Sequence, residues 1–152
     1  MVLQMSRSEL LEVECPSCRI PQDIVIWQTI HVAESPELKE QLITGAINYF
    51  FCAACDFEGF VTAPLLYHDR KEEICVQYVP VEYCEDTDFL QRTFSQDGRM
   101  RNGQAGTTSP LPAERSPVQH PHIVFSMDEL IRYVLFRDRL RQAFAETDKE
   151  SR

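Results

Sequence analysis

The chain has 152 residues, of which 43% are apolar and 26% charged, the balance of an ordinary globular domain with enough apolar material for a core of its own. Its formal charge is -9 and it is unevenly spread. Residues 1–84 hold five basic against thirteen acidic side chains, a net of -8, whereas residues 126–152 hold six of each. Nucleic-acid binding draws on lysine and arginine contacts to phosphate, so this distribution opposes it. No apolar run reaches the length of a membrane span, and the amino terminus lacks the pattern of a signal peptide. The expected setting is therefore a reducing cytoplasm, where paired cysteines hold metal more often than they form disulfides.

In chain order, Leu10–Glu14 alternates apolar and polar residues as a short strand does, and leads into Cys15-Pro16-Ser17-Cys18. Beyond Pro21, the run Ile24–Val32 is rich in β-branched residues and predicts a second strand. Ser35-Pro36-Glu37 is a helix start, with serine as N-cap, proline at the first helical position and glutamate against the dipole. Gly45 stands where that short helix should be capped. A strand at Ile47–Phe51 then enters Cys52-Ala53-Ala54-Cys55, and another at Phe57–Ala63 leaves it. Pro64–Glu73 reads as a turn, and Ile74–Val79 as a strand stopped by Pro80.

Residues 85–121 differ in composition. Asn102-Gly103-Gln104-Ala105-Gly106 and the prolines at 110, 112, 117 and 121 predict a flexible connection, with Phe89 and Phe94 able to dock locally. Order returns with a strand at Ile123–Phe125. Ser126 and Glu129 have capping-box spacing and open a helix to about Phe144, fraying toward Arg152.

The two C-x-x-C pairs carry the strongest chemical signal. A two-residue gap lets both sulfurs of a turn face one ion, and Cys15, Cys18, Cys52 and Cys55 together supply the four thiolates that close a tetrahedral zinc site. Such a site has no open position for water, so the expected zinc is structural. The competing reading is thiol redox chemistry at Cys15 and Cys18; it requires a helix start beside the pair, and Pro21 with a β-branched run stands there instead.

Weaker signals have plain structural readings beside the functional ones. His68 next to Asp69 has the ingredients of an oriented base, but Asp69 equally suits the start of a turn, with His68 half exposed. Cys75 alternates with Ile74 and Val76 as a small buried side chain would, and Cys84 lies among Glu82, Glu85 and Asp86, which disfavour a thiolate. His120 and His122 read as part of the linker. On the last helix, Met127, Leu130, Ile131, Val134 and Leu135 form one apolar face, and Tyr133, Phe136, Leu140 and Phe144 another. The second face is either covered by the central loop or, at Phe136, Leu140 and Phe144, a surface for a protein partner or a second copy of the chain.

In combination, Cys15–Cys18, Pro36–Lys39, Cys52–Cys55, Pro64–Asp69, Pro80 and Phe125–Leu130 resemble the CpXC-domain family of bacteria and archaea. The resemblance implies metal binding and a bacterial cytoplasmic home. The chain departs from the family pattern at Ala53, where proline is usual, and at Arg19 and Asp56, where glycine often follows the knuckle. The expected protein is thus α+β: a zinc-ribbon-like β core over residues 1–84 with two cysteine knuckles and an inserted helix, a loop over 85–121, and a strand and helix over 122–152 completing the same domain. Its expected role is a non-catalytic zinc-binding interaction module, the alternative being an enzyme using His68 and Asp69 or the Cys15/Cys18 pair.

Overall fold

A computed structural model describes residues 6–101 and 120–150. Seven strands and three helices follow one another as β1 (Arg7–Glu14), β2 (Pro21–His31), α1 (Pro36–Ile43), β3 (Tyr49–Phe51), β4 (Glu58–Phe60), β5 (Leu65–Asp69), β6 (Ile74–Tyr78), a 3-10 turn at Val81–Glu85, α2 (Thr87–Thr93), β7 (His122–Val124) and α3 (Met127–Glu150). Five strands form one mixed sheet in the order β1-β2-β5-β6-β7, and β3 pairs with β4 as a separate hairpin. The β2–β5 and β6–β7 pairs are parallel, so each needs a crossover. The first crossover carries α1 and the β3–β4 hairpin, and this is how the second cysteine turn is brought back toward the first.

The α+β class is as expected, and most elements fall on the segments read from the sequence. Two segments take a different form from the one expected. Leu65–Asp69 lies within the stretch expected to turn, yet it is the central strand of the sheet and all five residues are buried. The polar pair His68-Asp69 disguised it, because a strand covered on both faces shows no polar and apolar alternation. Likewise the segment from residue 85 does not begin as a loop. Asp86 caps α2 by accepting from the Phe89 amide at 3.0 Å, and Phe89 and Thr93 are buried. Phe94 then bridges to Met100 in antiparallel fashion. The Gly/Pro-rich stretch at 102–119 lies outside the described residues.

The sheet has two covered faces. Ile30, Leu65, Tyr67 and Val76 point to one side, where Leu38 and Leu42 of α1 and Met127, Leu130 and Val134 of α3 close the main core. On the other side Leu66 and Cys75 pack against Met100 and Phe94. Lys39 of α1 and Asp138 of α3 form a largely buried ion pair at 2.9 Å, and the Arg137 guanidinium donates to the Glu72 carbonyl at 3.3 Å, fixing how α3 lies on the body. The capping box operates with a shift of one residue: the Glu129 amide donates to Ser126 Oγ at 3.0 Å, while Glu129 Oε2 accepts from the Phe125 amide at 3.2 Å. Pro36 opens α1 as expected, but Ser35 makes no side-chain cap; its hydroxyl accepts from Ser6 at 3.1 Å instead. α3 continues to Glu150, beyond the expected end near Phe144. Among the described residues no helix is long and apolar enough to cross a membrane.

Asn48 joins the two sheets. β5 pairs with β2 only at Thr29–His31, and extending that register backwards sets Trp27 opposite Pro64, which has no N–H to donate. Asn48 occupies this gap. Its side-chain oxygen accepts from the Trp27 amide at 2.6 Å, its side-chain nitrogen donates to the Trp27 carbonyl at 3.0 Å, and its own carbonyl accepts from Val61 at 2.7 Å. It is 2% exposed and adopts φ +53, a conformation asparagine tolerates better than most residues. Asn48→Ala should therefore lower stability by about 2 kcal/mol, since it leaves the part-buried Trp27 N–H and carbonyl without their partner. The shift in denaturant midpoint of the full-length variant measures this, and a shift below about 0.5 kcal/mol would contradict the clamp.

Candidate metal centre

Each cysteine pair sits on the loop of an antiparallel hairpin, the first between β1 and β2, the second between β3 and β4. The two loops have the same backbone. Arg19 N–H donates to the Cys15 carbonyl at 2.9 Å and Asp56 N–H to the Cys52 carbonyl at 3.0 Å; Cys15 N–H donates to Ile20 at 3.2 Å and Cys52 N–H to Phe57 at 2.7 Å. Arg19 and Asp56 both take positive φ, +64 and +61. These are the positions where glycine is the easy choice, so the chain holds the knuckle shape at some conformational cost, greater at Arg19.

Two contacts from β2 set the hairpins side by side. Trp27 meets Asn48, and five residues earlier Gln22 meets Cys52, so β3 runs antiparallel along the outer half of β2 and delivers one knuckle to the other. All four sulfurs then lie within 4.8 Å of one another. Cys15 and Cys55 are 3.6 Å apart, as are Cys18 and Cys52, across the two knuckles. A tetrahedron of sulfurs at about 2.3 Å from a central ion has edges of about 3.8 Å, so the quartet has the size to hold one metal ion. Cys15 and Cys52 are fully buried and pack with Phe50, whereas Cys55 is exposed.

The environment favours ionised sulfur at the first cysteine of each knuckle. Burial raises the Cys52 thiol, but the Ala54 and Cys55 amides and the neighbouring thiols outweigh it and hold it at about 6. Cys15 is lowered in the same way, with the Cys18 and Ser17 amides overcoming desolvation. At Cys18 the Ile20 amide favours the thiolate, yet burial and the sulfurs of Cys52, Cys55 and Cys15 push it to about 12. A divalent cation at the centre of the sulfurs would supply the charge that favours their ionised form. Sequence reasoning did not identify Gln22, which takes the second rank around the sulfurs. Its Nε2 donates to Cys52 Sγ at 2.8 Å and its Oε1 accepts from the Ala53 amide at 3.3 Å, tying β2 to the second knuckle.

A family model described as CpXC protein matches residues 13–147. The chain belongs to the CpXC family. No curated protein and no solved structure matches it. Within this CpXC protein the match takes in both knuckles, the five-stranded sheet apart from the first six residues of β1, and α3 up to residue 147.

The remaining candidate residues are placed as follows. His68 is 4% exposed, not half exposed, and its Nδ1 lies 3.2 Å from Nδ1 of His31 on the neighbouring parallel strand. Desolvation, reinforced by His31, lowers its pKa to about 4, so His68 is a neutral imidazole near pH 7. Asp69 points to the opposite face of β5 and accepts from the Glu72 amide at 3.2 Å, the turn-starting role. The structure therefore does not unite His68 and Asp69 into a base. Cys75 is buried and pushed up to about 12 by desolvation, as expected for an inert core thiol, and Cys84 is exposed. His122 stacks on Tyr133 at 4.3 Å, which removes Tyr133 from the outer face of α3. Leu135, which spacing groups with Leu130 and Val134, is exposed. Phe136, Leu140 and Phe144 all face solvent, with Phe136 56% and Phe144 68% exposed.

Gln22→Ala removes the amide donated to Cys52 and leaves every sulfur in place. Metal affinity, read by competition with a chromophoric chelator, should fall by about tenfold or more while the fold persists. Unchanged affinity would show that Gln22 has no part in the site.

Proposed function

We propose that this protein is a non-catalytic interaction module built around one structural zinc ion held by Cys15, Cys18, Cys52 and Cys55. The observation that carries this reading is the closed quartet: four sulfurs within 4.8 Å of one another, two fully buried, and an amide donor aimed at one of them. An all-sulfur tetrahedral set selects zinc or iron–sulfur chemistry, and paired C-x-x-C turns suit a single zinc. With four protein ligands the ion has no position for water or substrate, so it contributes folding energy and no chemistry of its own. The paired hairpins are the arrangement of a zinc ribbon, here with the first hairpin continued into the five-stranded sheet. Thiolate ligands also favour a reducing compartment such as the cytoplasm.

The interaction surface is the outer face of α3. Phe136, Leu140 and Phe144 recur at four-residue spacing and form an exposed apolar stripe along the second half of α3, beside the face that carries the Leu130 and Val134 core contacts. The partner is a protein, a second copy of this chain included, since a stripe of this kind seats another helix. The acidic character of residues 1–84 supports a protein over a nucleic acid.

Two variants separate the parts of this reading. Cys52→Ser should lose zinc and lower stability, unfolding the knuckles and the β3–β4 hairpin first, because ligation energy on the order of 10 kcal/mol is folding energy for that half. A folded Cys52→Ser protein of unchanged stability would contradict the scaffold role. Phe136→Glu should keep zinc content and melting temperature and abolish association in sedimentation velocity; association that survives would exclude the α3 stripe.

A further inference from the structure

The β3–β4 hairpin has two unlike faces. Phe50 points inward and packs with Cys15 and Cys52. The opposite face carries two cross-strand pairs, Tyr49 opposite Phe60 and Phe51 opposite Glu58. On an antiparallel pair, positions two apart share a face, so these four side chains form a square. Three corners are aromatic and the fourth is a carboxylate. Phe51 is 56% exposed and Phe60 50% exposed, and Tyr49 stands edge-on to Phe60 at a centroid distance of 5.4 Å. Glu58 lies diagonally from Tyr49 and raises its phenol pKa, chiefly through a hydrogen-bonding contact.

Three half-exposed aromatic rings on a hairpin of three-residue strands cost solubility, and a hairpin that short is marginal without support. This one is held at both ends, by Cys52 and Phe57 at the knuckle and by the Asn48 carbonyl and Val61 at the base. The rings are thus presented rigidly, at little further entropic cost on binding. Their chemistry singles out a cation. Ring faces attract a guanidinium, which stacks flat on them, and a carboxylate at the edge accepts its N–H groups in a fork. The surrounding half of the chain, residues 1–84 with thirteen acidic against five basic side chains, draws a cationic partner toward it.

We infer that the outer face of the β3–β4 hairpin, formed by Tyr49, Phe51, Phe60 and Glu58, docks an arginine side chain in a basic segment of a protein partner. This gives the interaction module a second surface, distinct from the α3 stripe, and it rests on the module reading only in requiring a protein partner. Phe51 and Phe60 supply the stacking faces, Glu58 the charged hydrogen bonds, and the Tyr49 ring the perpendicular wall.

Titration of the full-length, isotope-labelled chain with a short peptide of three arginines, at 0.15 M salt, tests the inference by nuclear magnetic resonance. The expected result is a set of saturable shifts centred on Tyr49, Phe51, Glu58 and Phe60. Phe51→Ala and Glu58→Gln should each weaken binding about tenfold, and a three-lysine peptide should bind more weakly than the arginine peptide. Both variants change exposed side chains, so metal content and melting temperature should be unaltered in each. Shifts scattered over the acidic surface and insensitive to both variants, or equal binding of the lysine peptide, would overturn the assignment. The Phe136→Glu variant should bind the arginine peptide like the parent chain, so failure at this hairpin and failure at α3 are told apart.

Discussion

The outer half of this fold is governed by the need to bring two cysteine turns, more than thirty positions apart in the chain, to one point. Each turn alone closes only a short hairpin, and a two-stranded hairpin has too little buried surface to persist. Joined at the sulfurs, the hairpins brace each other: Phe50 covers Cys15 and Cys52, and Gln22 reaches from β2 to the second knuckle. The parallel β2–β5 connection serves the same end, since it lets the chain climb along β2, return through α1 and run back down beside its own strand before entering the sheet at β5.

The division between the sulfur cluster and the apolar core is also visible. Around β5 and β6 the molecule has a conventional interior, closed by α1 and α3 on one face and by Phe94 and Met100 on the other. That half owes little to the sulfurs. The outer hairpins have no such cover: β1 is exposed along nearly its whole length, and Phe51 and Phe60 face solvent. Loss of metal should therefore be felt first at the knuckles and β3–β4, and only through Asn48 and Trp27 in the sheet. The buried His31–His68 pair belongs to the conventional half, where the two rings meet across parallel strands. Its placement makes His68 a structural residue of the sheet, in a position that in sequence looked like half of a catalytic pair.

How much of this could be read beforehand depended on whether the partner of each residue was local. The cysteine spacing, the capping box at Ser126 and Glu129, Pro36 at the start of α1 and Gly45 after its end are short-range devices, and all four stand in the sequence and in the structure. The positive φ at Arg19 and Asp56 was legible too, because the knuckle demands it whatever residue is present. What escaped depends on distant partners. Asn48 is meaningful only beside Trp27, Gln22 only beside Cys52, and His68 only beside His31. β5 was hidden because burial on both faces removes periodicity, and α2 because its seven residues follow acidic turn-forming residues and precede a Gly/Pro-rich stretch. The outer face of α3 was legible in outline, although Tyr133 leaves it for His122 and Leu135 joins the exposed side.

The central claim, that one zinc ion joins the two knuckles, is tested most directly by native mass spectrometry of the purified full-length protein, before and after a denaturing acid step. The account predicts one zinc per chain in the native spectrum, lost on acidification as the thiolates protonate. A native spectrum without metal, two mass units light from a disulfide between Cys15 and Cys18, would contradict it.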